Sequence, residues 1–433
     1  MSAAPLLRGA CLALALAAAF NAHAAEPYPA LLPPQENVRT WLDSLPEVKA
    51  ARAGIELEQA NARKLRAGPY EWTVQGTLQR RSERDTSASY RENALGLERS
   101  VRWFGKADKD AALGEQRVRL ASTTLADAWH EAGRTFLQDW FDALREARAA
   151  ARLQEQAALY EQQVDMVNKR FKAGDAPRLD VLLMQTERDR AVAQQHQAAQ
   201  RAARALSMLR QRYAGAEALV PTSLPQPQPL SGSAEDWTRR LLQENHEVAM
   251  AQAQAELGRL SAQRAALERR PDPTLGVHVG HERGGQEKIV GVTISIPLPG
   301  AARRSQQDAA ASEAVIAGEK ARQVQGKVER EAGAAAMTAR AAYDNWERLA
   351  RLAGQSREAT SLVTKAYSLG EVPLGDLILA RRQALEADAN AESAQLDALQ
   401  AQAKLLLDTH AFWDFDAVDA AGDGVSAGQH ASQ

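Results

Sequence analysis

The chain repeats itself at long range. Ala173-Gly174-Asp175-Ala176-Pro177-Arg178-Leu179-Asp180 returns as Leu369-Gly370-Glu371-Val372-Pro373-Leu374-Gly375-Asp376. Pro46-Glu47-Val48 is echoed by His246-Glu247-Val248, and the run Glu71–Arg81 by Pro273–Arg283. The spacing is about two hundred residues, far longer than a solenoid unit. The spacing predicts a duplicated unit of helix, two strands and two long helices.

The helices read from alanine-rich 3.6-residue periodicity. Trp41–Ala67 predicts one amphipathic helix, and a helix beginning near Ala107 meets no breaker before Gly174. At 1.5 Å per residue it would reach about 100 Å. Leu153, Ala157, Tyr160, Val164, Val167 and Phe171 are spaced as the seam of a coiled coil. A returning helix runs from Pro177 to about Tyr213. In the second copy Glu235–Arg269 and Ala301–Leu369 are helical, the latter with a seam at Leu349, Leu352, Ala359, Val363 and Ala366, and Pro373–His410 returns.

The strands read from period-two alternation. Trp72, Val74, Gly76 and Leu78 share one face of Glu71–Arg81, with Thr73, Gln75, Thr77 and Gln79 on the other. Tyr90–Trp103 follows after a polar turn, with Leu95, Leu97, Val101 and Trp103 on one face. Thr274–Arg283 and Lys288–Leu298 repeat the hairpin, and Val290, Val292, Ile294, Ile296 and Leu298 face one way. Such strands are long enough for a tilted barrel strand to cross a bilayer, with lipid on the apolar side and water on the other. Trp72 and Trp103 fall at the same level of the first hairpin and mark a candidate membrane interface. Four strands cannot close a membrane barrel, because about eight is the lower limit. Other copies of the chain must complete it, and counting alone leaves a dimer and a trimer open.

Residues 1–24 read as a secretory signal peptide, with Arg8, the apolar stretch Ala10–Phe20 and an A-x-A site at Ala22-His23-Ala24. The single cysteine, Cys11, lies inside it, so the mature chain offers no disulfide and no thiolate site. With 53 basic and 55 acidic residues the charge is balanced, which argues against a nucleic-acid partner. No phosphate loop, H-E-x-x-H or Ser/His/Asp constellation stands out. The residues therefore imply neither an enzyme nor a cofactor. His278 and His281 fall on opposite faces of their strand and do not read as a metal pair. The expected organisation is residues 25–219 as a first structural repeat, 220–233 as a Pro-rich linker, 234–412 as a second repeat and 413–433 as a flexible tail.

The duplicated hairpin, the strand end Ile296-Pro297-Leu298-Pro299-Gly300 and the two A/L-G-x-x-P-x-x-D turns resemble those of the TolC-type outer-membrane efflux proteins over nearly the whole mature length. The fold class expected is mainly α with a small β part. The resemblance implies a homotrimer whose twelve strands form one barrel in the outer membrane of a Gram-negative bacterium, above a long periplasmic α-barrel. It implies as partners outer-membrane lipid, a periplasmic adaptor and an inner-membrane pump of the proton-driven resistance-nodulation-division type. It places the periplasmic gate at the second helical turn. Tyr367 and Asp376 match that family's tyrosine and aspartate there, whereas Val372 and Leu379 depart from its arginine and second aspartate. Gly174, Pro177, Gly370 and Pro373, at the hairpin tips, are the candidates for adaptor contact. Arg270-Pro271-Asp272-Pro273-Thr274-Leu275-Gly276-Val277 and Gly291–Gly300 look most like the heavy-metal efflux branch. A drug or small-molecule duct, and a soluble periplasmic coiled-coil scaffold or adaptor without a pore, are the alternatives. In a trimer Asp376 would form a carboxylate ring favouring cations. Its simpler reading, shared with Asp180, is an acid complementing the helix dipole.

Overall fold

The computed structural model describes residues 31–413. The signal peptide, Cys11 and the tail from Asp414 onward lie outside the described residues. Helices α1 (Gln35–Ser44) and α2 (Pro46–Ala67) lead into strands β1 (Thr73–Ser82) and β2 (Ser89–Ser100), then α3 (Lys106–Lys172) and α4 (Arg178–Arg212). The same order follows as α5 (Ala234–Gln243), α6 (His246–Leu267), β3 (Thr274–Glu282), β4 (Glu287–Ser295), α7 (Ala301–Ser368) and α8 (Leu374–Asp408). Helix lengths agree between copies: 10, 22, 67 and 35 residues against 10, 22, 68 and 35.

The first helix of each copy is two helices, not one as the periodicity predicts. Pro46 has no N–H to donate and confines Leu45 to an extended conformation, φ −69° and ψ 140°. In the second copy Asn245 makes the break. Its side-chain oxygen accepts from the Val248 N–H at 2.9 Å and caps α6.

At roughly 100 Å, α3 is twice the length of α4. The second layer is therefore supplied from both ends: α2 packs along the half of α3 near the sheet and α4 along the half near the turn. In the second copy α6 and α8 cover α7 in the same way, and α3 also touches α6 and α8. Gly114 lets α2 approach closely, because a Cβ there would lie 2.9 Å from the Ala62 Cα and Cβ. The largest core sits at mid-height, where Phe136, Trp140 and Phe141 of α3 meet Leu42, Leu209, Tyr213, Trp237 and Leu399.

The first coiled-coil seam appears in part. Tyr160, Val164 and Val167 are buried, while Phe171 in the last turn is exposed. The second also appears in part. Leu349, Val363 and Ala366 are half-buried, Val363 against the cluster around Tyr160, while Leu352 and Ala359 point outward and Ala353 is the buried residue between them. In a helix this rich in alanine several registers satisfy the 3–4 spacing, and the small Ala353 admits the closer contact.

The four strands form one antiparallel sheet in the order β1-β2-β3-β4. Cross-strand register puts Val74, Leu97, Val277 and Val292 in one row. Gly76, Leu95, Val279 and Val290 form the next row, and Leu275 pairs with Ile294 below. The large side chains of these rows are exposed. The opposite face is polar. Gln75 donates to Glu98 at 2.6 Å and Gln79 to Glu92 at 2.8 Å, and Arg81 pairs with both Glu92 and Glu282. β1 and β4 are edges with unpaired backbone. No helix among the described residues is long and apolar enough to cross a membrane.

Candidate functional site

Two ends of the molecule concentrate features beyond packing: the turn end and the sheet. Both turns follow from sequence in the same way. At the end of α3, Gly174 adopts φ +77°, its N–H donates to Phe171 O at 3.0 Å, and the Asp175 N–H donates to Arg170 O at 2.9 Å. At the end of α7, Gly370 adopts φ +80°, with Gly370 N–H to Tyr367 O at 3.1 Å and Glu371 N–H to Ala366 O at 3.0 Å. Glycine is needed because its missing Cβ permits the left-handed conformation that ends the helix and satisfies its last carbonyls. Pro177 and Pro373 then set the extended residue preceding α4 and α8. Gly174, Pro177, Gly370 and Pro373 are all exposed. Asp180 and Asp376 lie in the first turns of α4 and α8, where a negative charge opposes the positive end of the helix.

The predicted gate residues do not converge within one chain. Leu374, Leu377 and Ile378 face inward to Tyr160, Val164, Val167, Val181 and Met184. Tyr367 is half-buried against the same cluster, and Val372 is half-buried in the turn. Asp376 and Leu379 are exposed, turned away from that core. What joins the two hairpins was not evident from sequence. The Arg170 guanidinium lies 5.1 Å from the Tyr367 ring centre and its Nε donates to Asp175 at 2.9 Å. Burial raises the Tyr367 hydroxyl above its ordinary pKa, against the opposing pull of Arg170. Two to three turns along the helices, Arg382 of α8 grips Glu187 of α4 in a two-pronged contact, with Nε to Oε2 at 2.8 Å and Nη2 to Oε1. Glu187 is buried, and Arg190 stands 3.8 Å from it. The only signal for this pair was an acid and a base on repeat-related helices, among dozens of similar charges.

At the other end the tryptophans lie just outside the strands they were predicted to bound. β1 begins at Thr73 and β2 ends at Ser100. Beyond Ser100 the chain leaves the ladder: Val101 N–H donates to Pro273 O at 2.8 Å and Trp103 N–H to Asp272 at 2.7 Å. Trp72 and Trp103 nonetheless occupy the same, helix-proximal end of the sheet. Trp72 is exposed under the Arg99 guanidinium at 5.4 Å, and Trp103 is half-buried beside the exposed Phe104.

Below them is a dense charged junction. The fully buried Lys106 ammonium lies 2.9 Å from Asp272 and 3.2 Å from Glu268. Tyr70 donates to Asp272 at 2.6 Å, Arg303 reaches Glu268, and Arg264 bridges Glu268 and Asp110. Burial would raise Glu268 and Asp272, but the hydrogen bonds from Arg264 and Lys106 to the first, and from Tyr70 and Lys106 to the second, outweigh it and hold both low.

His278 and His281 do lie on opposite faces. His278 sits on the polar side between Gly96 and Gly291, with its Nδ1 3.4 Å from the Thr293 hydroxyl, while His281 shares the row of Lys288.

No protein-family model matches the sequence, and no curated protein matches it. Solved structures match over nearly the whole chain. A membrane protein from Pseudomonas aeruginosa superposes with a TM-score of 0.73 at 17% identity, covering 89% of this chain and 92% of that one. The outer membrane protein VceC of Vibrio cholerae gives 0.70 at 14%, covering 86% and 95%. The open state of the MtrE outer membrane channel of Neisseria gonorrhoeae gives 0.67 at 15%, covering 87% and 88%. The chain has the fold of these membrane proteins. At such identities the likeness speaks for the fold alone. It accounts for the duplicated unit, the four-stranded sheet and the long paired helices together.

Proposed function

We propose that the chain is one protomer of a trimeric outer-membrane exit duct, passively conducting cargo in a tripartite efflux or secretion system. One observation carries the reading: a four-stranded sheet with an exposed apolar face, an opposite polar face and two unpaired edges. Unpaired backbone groups in lipid cost several kcal/mol each, so β1 of one copy must meet β4 of the next. Three chains close twelve strands. Two helices per repeat at each height then give twelve around a tunnel.

In this reading residues 25–219 and 234–412 are the two repeats. Trp72 and Trp103 sit at the periplasmic membrane interface, and the polar sheet face lines water. The exposed tips at Gly174, Pro177, Gly370 and Pro373 meet a periplasmic adaptor, which links the duct to an inner-membrane pump of the resistance-nodulation-division type. Tyr367, Val372, Asp376 and Leu379 form the gate. Exposure of Asp376 and Leu379 on the side away from the protomer's own core supports their facing an axis or a neighbouring copy. The cargo we infer is heavy-metal cations, on the run Arg270–Val277 and Gly291–Gly300.

Fractionation and native sizing test the duct: an outer-membrane, heat-sensitive trimer is expected. A single-copy species that is stable in buffer without detergent refutes it and leaves a soluble scaffold. For the cargo, a deletion strain should lose tolerance to zinc, cobalt, cadmium, copper or silver. Loss of tolerance to lipophilic drugs alone refutes the metal assignment.

A further inference from the structure

Three histidines far apart in sequence meet at mid-height. His130 belongs to α3, His246 opens α6, and His410 follows the end of α8. The His130 ring centre lies 5.5 Å from those of His246 and His410, which are 5.0 Å from each other. Residues 31–413 contain six histidines, so half of them gather at one point, drawn from both repeats.

The spacing has a chemical meaning. An imidazole nitrogen binds a zinc-like ion at about 2.0–2.1 Å, which puts the ring centre roughly 3.2 Å from the metal and tetrahedrally arranged rings roughly 5.2 Å apart. The observed triangle matches that size. The surroundings fit as well. His130 Nε2 is 3.3 Å from the Leu407 carbonyl oxygen and 3.7 Å from Asp408, whose carboxylate is held by Arg134 at 2.8 Å. An Nε2–H directed at that carbonyl leaves the Nδ1 lone pair for a ligand, the usual outer-shell arrangement of a metal-binding histidine.

As the side chains stand, no group of three or more His, Cys, Asp or Glu among the described residues is arranged to hold an ion. The ring centres have the spacing of a site, and their nitrogens do not converge. His246 and His410 are only half-buried, and binding requires their rings to turn out of their present contacts.

We propose that His130, His246 and His410 form a binding site for one borderline divalent transition-metal ion of the zinc, cobalt, nickel or copper class, with solvent completing the coordination. Imidazole donors suit these ions. The ion would tie α3 and the end of α8 to the start of α6. This site is independent of the duct reading: it needs neither the membrane nor cargo.

The test uses the full-length protein, purified without a polyhistidine tag and stripped with chelator. Titration with Co²⁺ should give visible absorption of tetrahedral type, saturating at one ion per chain, and Zn²⁺ should displace it. At free Zn²⁺ about one hundred times Kd, the folding equilibrium should shift roughly 100-fold. His246→Gln and His410→Gln, on half-exposed positions, should each weaken binding at least tenfold even if His130→Gln fails to fold. The double variant His278→Gln/His281→Gln should bind as the parent does. Absence of stoichiometric binding, or binding kept in His246→Gln and His410→Gln, overturns the proposal.

Discussion

Val292 and Thr293 are neighbours in β4, yet they face opposite sides of the sheet, and replacing each by arginine separates the two sides directly. Val292 is 75% exposed and stands in the row Val74, Leu97, Val277, Val292, with apolar rows on either side. If that face meets lipid, the row lies near the middle of the apolar band. An arginine at the centre of a barrel's lipid face costs about 2–4 kcal/mol. A trimer carries three copies, so V292R should destabilise the assembly by about 6–12 kcal/mol if the three act independently. Thr293 pairs with Gly276, which in turn pairs with Glu98 on the polar face. An arginine there enters water near a carboxylate, and T293R should change stability by less than about 0.5 kcal/mol, as surface substitutions do. The assay is the amount of heat-sensitive oligomer in outer-membrane fractions on unheated gels. V292R should abolish it and T293R preserve it. Equal assembly of the two variants, or the reverse order, refutes the assignment of the apolar face to lipid.

Four further outcomes are expected. Lys106→Met leaves Asp272 and Glu268 without their buried cation. Breaking such a pair costs about 3–5 kcal/mol, and the remaining partners Tyr70 and Arg264 place the loss at the low end; a change under about 1 kcal/mol in detergent-solubilised unfolding would count against it. Because Glu268 and Asp272 are held below their ordinary values of 4.5 and 3.8, their stabilisation is complete above those values and disappears as pH falls through the lower folded ones. The melting temperature should drop on acidification from pH 6 toward 3, and a rise would contradict the sign. Glu187→Gln weakens the grip of Arg382 between the hairpins by about 1–2 kcal/mol; if that grip holds the tips together, single-channel conductance should increase, and an unchanged value would leave the pair a packing contact only. Asp376→Ala should reduce cation preference in planar bilayers, whereas unaltered selectivity leaves Asp376 to the helix dipole alone.

The parts of the fold legible in the sequence are those written by neighbours along the chain. Gly174 and Gly370 mark helix ends because only local backbone geometry is at stake, and each is followed by Pro and then an acid three residues on. The alternation in β1 and β4 gives the two faces of the sheet, since strand side chains point to opposite sides in turn. The same local logic was available at Leu45-Pro46 and Asn245-His246, where a proline and a capping asparagine divide helices that the apolar periodicity alone joins. The second coiled-coil seam departs at Leu352 and Ala359 for the opposite reason. An alanine-rich surface fits several registers, and only contact with α8 selects Ala353 over Leu352.

The long helices, the turns and the strand faces follow from residues within a few positions of one another, and the return of those local patterns about two hundred residues on marks the duplicated unit. The three-dimensional fold pairs β2 with β3 and encloses Lys106 between Asp272 and Glu268. It alone joined Arg382 to Glu187 and gathered His130, His246 and His410. These partners stand about 116 to 280 residues apart. A charge or an imidazole on a helix carries no mark of what will face it until packing removes the water between them.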